Sequence, residues 1–320
     1  MRANSLPTAL RAGAALCLAP LLMFAQQATA PQAPAPQPDE GDAIFSSETR
    51  LVPLNITVSD KAGHLVTNLP QSAFQVFENG VLQQIKLFRR EDVPVSLGLI
   101  IDNSGSMREK RQAVESAALA LVKDSNPQDE AFIVNFNDAY YMDADFTSDI
   151  KVLEQGLTKI DSRGGTAMRD AIWASIDHLK AKAKRDKKVI LVVTDGNDNA
   201  SERSLEALVR LAQEDDVLIY AIGLLTEEDR AEAKKAQRAL NLLTESTGGQ
   251  VFYPKDVSEV DKIAHQVAHD IRNQYSIAYT PTNAALDGTF RQIKVTVKAP
   301  GNPVARTRSG YYARQPAKKS

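Results

Sequence analysis

The 320-residue sequence predicts an α/β fold: a doubly wound, mostly parallel sheet flanked by helices, joined to a small β-sandwich built from N- and C-terminal strands. Three observations predict it. Continuous apolar runs occur at 95–101 (VSLGLII), 131–136 (AFIVNF), 189–193 (VILVV) and 217–222 (VLIYAI), as expected of strands covered on both faces. Helical patterns separate them: Val114, Ala117, Ala118, Leu121 and Val122 recur at helical spacing, as do Leu205, Leu208, Val209 and Ala212, and Val260, Ile263, Ala264, Val267 and Ile271. Strands alternating with helices imply parallel pairing. On either side of this middle the pattern changes to two-residue alternation, the mark of half-buried strands.

Taken in order, residues 1–30 read as a cleaved export signal, with an uncleaved N-terminal anchor as the alternative. Arg2 and Arg11 precede the apolar stretch AGAALCLAPLLMFA at 12–25, and no acid appears before Asp39. That stretch is short for a bilayer span and contains Pro20, so no membrane span is expected in the mature chain. Residues 31–42 (PQAPAPQPDEGD) form a proline-rich linker that cannot build a core.

The segment 43–93 is expected to be β-rich. Val52, Leu54, Ile56 and Val58 alternate, a turn falls at Asp60–Gly63, and Phe74 and Val76 lead into Asn79-Gly80. That dipeptide is a strong hairpin signal because both residues accept positive φ, and Ile85 and Leu87 are expected to continue the return strand. The α/β domain spans 94–272. In 273–314 alternation resumes at Tyr275, Ile277 and Tyr279, breaks at Asp287-Gly288, and returns at Ile293, Val295 and Val297. Short strand pairs are marginal alone, so the two flanking segments are expected to pack together. Residues 315–320 are a tail.

The formal net charge of −2 becomes −4 once residues 1–30 are set aside, because they carry two arginines and no acid. No nucleic-acid footprint follows from that balance. The single cysteine, Cys17, lies in the signal, which removes disulfides and thiol chemistry from the mature chain.

In an open α/β sheet, ligands bind beyond the carboxyl ends of the strands where the winding reverses. Asp102 ends the first buried run and Ser104 and Ser106 follow in DNSGS. Asp195 ends another run in VILVVTDG, and Thr166 follows two glycines in SRGGTAM. Two carboxylates and three hydroxyls suit a hard divalent cation, Mg²⁺ or Mn²⁺. Standing alone, DNSGS would also suit a helix N-cap, with Ser104 or Ser106 capping a helix near Met107. Asp198 and Asn199 read as loop residues, Asp143 and Asp145 as charges on an edge strand, and Trp173 as core packing. His265 and His269 lack the glutamate of HExxH and read as a solvated helix face.

The DNSGS, GGT and TDG segments resemble, in order and spacing, the metal-ion-dependent adhesion site of von Willebrand factor type A domains. The resemblance covers residues 94–272 and implies a Rossmann-like sheet. It also implies that Ser104, Ser106 and Thr166 ligate the metal while Asp102 and Asp195 complete or orient its shell. ENGVLQQI, EDVPVSLGLIIDNSGSM and RSGYYA resemble the acidobacterial group of exported proteins related to these domains.

The expected function is therefore a non-enzymatic, exported module, periplasmic or extracellular, whose metal accepts a carboxylate from a protein ligand. Two alternatives stay open. One is an envelope protein whose metal only stabilises loops. The other is a phosphoryl-transfer enzyme, although that chemistry wants a second acid two residues after Asp102, where Ser104 stands. The sequence gives no oligomeric state.

Overall fold

In the computed structural model the described residues are 51–314, except 91, 125, 159–161, 197 and 226–229. The expected export signal, the linker, residues 43–50 and the tail lie outside them. The chain opens with β1 (Val52–Ser59), β2 (Phe74–Glu78), β3 (Val81–Gln83) and β4 (Ile85–Arg89). The α/β part follows with β5 (Val95–Asp102), α1 (Arg111–Lys123), β6 (Glu130–Phe136), β7 (Tyr140–Thr147), α2 (Ile150–Thr158), α3 (Met168–Lys182) and β8 (Lys187–Thr194). It continues through α4 (Leu205–Glu214), β9 (Val217–Gly223), α5 (Arg230–Thr247), β10 (Val251–Phe252) and α6 (Val260–Arg272). The closing strands are β11 (Tyr275–Tyr279), β12 (Phe290–Val297), β13 (Val304–Arg306) and β14 (Gly310–Tyr312).

The central sheet has the order β10-β9-β8-β5-β6-β7, parallel throughout except for the antiparallel edge strand β7. From β5 the chain winds outward through β6 to β7, then returns to β8 and winds the other way. The switch point therefore lies between β5 and β8, where a crevice opens at the carboxyl ends. The apolar runs are buried on both faces, as their composition requires. Leu97, Leu99 and Ile101 pack with Leu121 of α1, Leu153 of α2 and Val267 of α6. Ile100, Phe132 and Val192 pack with Ile172 of α3, Leu208 of α4 and Leu240 of α5. On β7, Asp145 receives hydrogen bonds from Lys182 and His178; the Lys182 ammonium does most to hold its carboxyl down at about 2.

Two antiparallel four-stranded sheets, β13-β1-β11-β4 and β14-β12-β2-β3, form the second layer pair. The alternating Val52, Leu54, Ile56 and Val58 bury one face against Phe74, Tyr275, Ile277 and Ile293. Between the sheets, the buried Glu78 carboxylate accepts the hydroxyls of Tyr279 at 2.7 Å and Tyr311 at 2.9 Å. Asn79 and Gly80 turn with φ of 47° and 81°, as their types predict. The return strand departs from expectation: β3 ends at Gln83, and β4 crosses to pair with β11 in the other sheet. The Gln83 side chain holds that crossing, donating to Thr282 Oγ1 and accepting from the Thr282 amide.

Only Asn273 and Gln274 separate α6 from β11, whose register sets Tyr275 against Ile56 and Tyr279 against Val52. The last turn of α6 is pinned from several sides. Arg272 reaches Asp92 at 2.6 Å and Asp129 at 3.1 Å, Asp270 accepts from Arg306 of β13, and Lys187 Nζ donates to the Ile271 carbonyl. Lys187 is buried, and that burial pushes its ammonium down to about 8.

A pH dependence follows from the direction of this shift. The unfolded lysine retains its proton up to about 10.4, so between pH 8 and that value the unfolded state binds more protons and stability rises with pH. Below pH 8 the buried charge costs about 3 kcal/mol by this linkage. Denaturant melts of wild type and Lys187→Met should show a stability difference that shifts toward wild type between pH 8 and 10.5. A constant difference across that window contradicts the assignment.

Candidate metal centre

Every predicted site residue lies at the carboxyl-end rim. β5 and β8 run in register, with Ile101 beside Val193, so Asp102 emerges next to Thr194. Asp102 is fully buried. Its Oδ1 accepts the Ser104 amide at 2.8 Å and its Oδ2 accepts the Thr194 hydroxyl at 2.6 Å. Both donors are neutral. Burial pushes the Asp102 carboxyl up to about 6 against these bonds, and the nearby Asp195 adds to the rise. At neutral pH the rim thus holds a buried carboxylate that a cation would relieve.

The turn after β5 aims its hydroxyls together. Ser104 Oγ and Ser106 Oγ stand 3.1 Å apart, and Ser106 Oγ donates to Asp195 Oδ1 at 2.8 Å. The capping alternative does not describe them. Residues 105–107 form a short 3-10 turn to which Ser104 makes no side-chain cap, and α1 starts at Arg111 after Lys110. The serine hydroxyls face the rim.

Thr166 arrives from the loop before α3 and is held by its neighbours. Its amide donates to Asn199 Oδ1 at 2.9 Å, and its carbonyl accepts the amides of Asn199 and Ala200. Thr166 Oγ1 lies 3.7 Å from where a Cβ on Gly196 would stand, which sets it beside the Asp195 loop. Before it, the Gly165 amide donates to Asp138 Oδ1 at 2.7 Å, and the Gly164 carbonyl accepts the Gly105 amide. Asp198 anchors the same loop, accepting from the Arg169 amide and from Ser201. Asp198 and Asn199 are thus loop-holding residues, as their types suggest.

Among the described residues no group of three or more His, Cys, Asp and Glu side chains gathers as a metal site. The five predicted site residues supply two carboxylates and three hydroxyls, a set that fits a hard cation keeping some of its water. His265 is engaged by Asp124 and Asp261 on an exposed face of α6. Trp173 is only partly buried, with the Arg203 guanidinium 4.5 Å from its ring centroid. The rim also holds Lys110, which sequence reasoning missed: its Nζ lies 2.6 Å from Asp195 Oδ2. A lysine just before a helix reads as a solvated charge, and nothing in its spacing marks it otherwise.

Comparison with known proteins agrees with this architecture. Residues 97–197 match the model of the von Willebrand factor type A domain. That segment runs from β5 through the Asp195 loop and contains all five rim residues. A von Willebrand factor type A protein from Catenulispora acidiphila aligns at 12% identity and TM-score 0.50, covering 83% of this chain and 75% of that one. Proximal thread matrix protein 1 from the mussel byssus, solved with a zinc-occupied MIDAS motif, aligns at 17% identity and TM-score 0.50, covering 61% of this chain and 49% of that one. The PilB minor pilin from Streptococcus sanguinis aligns at 13% identity and TM-score 0.46, covering 58% and 63%. The chain thus spans about half of the mussel protein and under two thirds of the pilin, and at these identities the likeness is one of fold. No curated protein matches by sequence.

The GGT loop makes a direct prediction. A Cβ on Gly165 would stand 2.7 Å from both Asn199 Oδ1 and Asp138 Oδ1, the acceptors that hold this loop. Gly165→Ala should therefore disturb both bonds and cost about 1–3 kcal/mol, with faster amide exchange at Thr166. Wild-type stability and exchange in this variant would contradict the account of how Thr166 is positioned.

Proposed function

We propose that this chain is an exported protein-binding module that uses a divalent cation, Mg²⁺ or Mn²⁺, to take up an acidic group of a protein ligand. In this reading Ser104, Ser106 and Thr166 hold the metal through their hydroxyls, and Asp102 and Asp195 orient the shell and supply its negative charge. The bound cation would act as a Lewis acid that accepts a carboxylate oxygen. The residues prepare for it. Thr194 and the Ser104 amide fix the Asp102 carboxylate, Ser106 is oriented by Asp195, and Gly164 and Gly165 leave room for the turn that carries Thr166.

The observation that carries the reading is the 2.8 Å bond from Ser106 to Asp195, which links the turn after β5 to the loop after β8 through oxygen donors alone. With three hydroxyls in the donor set, the inner shell would carry little negative charge, leaving the metal attractive to an outside carboxylate. The reading is non-catalytic because Ser104 occupies the position where phosphoryl transfer would want a second acid. Export rests on the signal-like residues 1–30, and among the described residues no helix is long and apolar enough to cross a membrane.

Titration calorimetry tests the metal. Wild type should bind one Mg²⁺ or Mn²⁺, and Asp102→Ala and Ser104→Ala should each abolish binding while retaining the wild-type circular dichroism. Unchanged binding in both variants overturns the ligand assignment. For the partner, a pulldown from envelope extract should require Mg²⁺ and be reversed by free glutamate; capture indifferent to both contradicts the carboxylate-ligand reading.

A further inference from the structure

Among the described residues, Lys110 is a cationic side chain in direct contact with a rim carboxylate. Its ammonium donates to Asp195 Oδ2 at 2.6 Å and points toward the Leu224 carbonyl at 3.4 Å. The pair is largely sheltered: the Lys110 side chain is 17% exposed and that of Asp195 1%. Oδ1 of the same carboxylate accepts Ser106, so both Asp195 oxygens are engaged. Leu224 directly follows β9, and its amide donates to the Thr194 carbonyl at 2.8 Å. Lys110 thereby fastens the start of α1 to the ends of β8 and β9.

An ammonium and a divalent cation compete for the same charge. A sheltered carboxylate loses much when its counter-ion is removed and nothing replaces it. At this rim a replacement is what the donor set around Asp195 can take. We propose that Lys110 is a built-in competitor for the metal: it holds Asp195 in the metal-free protein and must release Oδ2 when a divalent ion binds. This rests on the metal-binding reading above and adds to it a residue that sets the affinity. Its consequence is a rim that stays ordered without metal and binds metal more weakly than its oxygen donors alone would.

The test uses Mn²⁺ as the probe. Lys110→Met removes the ammonium and keeps most of the stem, whereas Lys110→Arg keeps the charge. Relative to wild type, Lys110→Met should bind Mn²⁺ about tenfold tighter or better, as expected when a close, sheltered ion pair no longer has to be broken. Its metal-free melting temperature should fall and be restored by Mn²⁺, and Lys110→Arg should stay near wild-type affinity. A second measurement needs no variant: acetylation of wild-type Lys110, followed by mass spectrometry, should speed up when Mn²⁺ saturates the protein. If wild type binds Mn²⁺ but Lys110→Met binds it equally or more weakly, or Lys110 stays as protected with Mn²⁺ as without, the competition is overturned and the metal site stands. If wild type and both variants bind no Mn²⁺, the metal reading falls and this proposal with it.

Discussion

The in-register pairing of β5 with β8 is the constraint on which the rest of the rim depends. Because Ile101 lies beside Val193, Asp102 comes to Thr194 and receives its hydroxyl at 2.6 Å, while the next residue, Asp195, turns outward to meet Ser106. Parallel strands end at the same edge, so two segments about 90 positions apart in the chain deliver their carboxylates to one crevice. A one-residue slip would send every side chain of β5 to the opposite face. Gly98 opposes it: the Phe132 ring lies 2.6 Å from where a Cβ at that position would stand, so a slip that put Leu97 or Leu99 there would clash.

This placement carries an electrostatic cost that the rim meets unevenly. Asp195 is matched by the Lys110 ammonium, whereas Asp102 is met by a hydroxyl and an amide, which carry no net charge. Burial raises the Asp102 carboxyl to about 6, and the hydroxyl and amide bonds only partly hold it down. A divalent cation at the hydroxyl cluster would offset the charge that neutral donors only moderate.

Much of this was legible in the sequence, for physical reasons. Runs such as VSLGLII must be covered on both faces, so their number, and the helical patterns between them, imposed a doubly wound sheet. Alternation at Val52–Val58 and Tyr275–Tyr279 could bury only one face, and pairing those distant segments was the economical way to do so. The position of Asp102 at a strand end followed from the run before it. What the sequence hid depends on contacts between remote segments. The crossing of β4 into the other sheet is held by Gln83 and Thr282, which no local pattern joins. Asp138 and Lys110 look like surface charges until the fold brings them to Gly165 and Asp195.

The sandwich and the α/β part share more than a chain connection, since Arg306 of β13 reaches Asp270 of α6 and Arg308 reaches Asp216. The rim lies at the opposite end of the central sheet from the amino ends of β5 and β8, so its chemistry is left to the loops that Asn199, Asp138 and Asp198 hold. The central claim is that these loops present hydroxyl oxygens to a divalent ion. Anomalous diffraction from crystals grown with Mn²⁺ addresses it most directly. The account predicts a single strong peak bounded by the hydroxyls of Ser104, Ser106 and Thr166; a peak elsewhere, or none at saturating Mn²⁺, would contradict it.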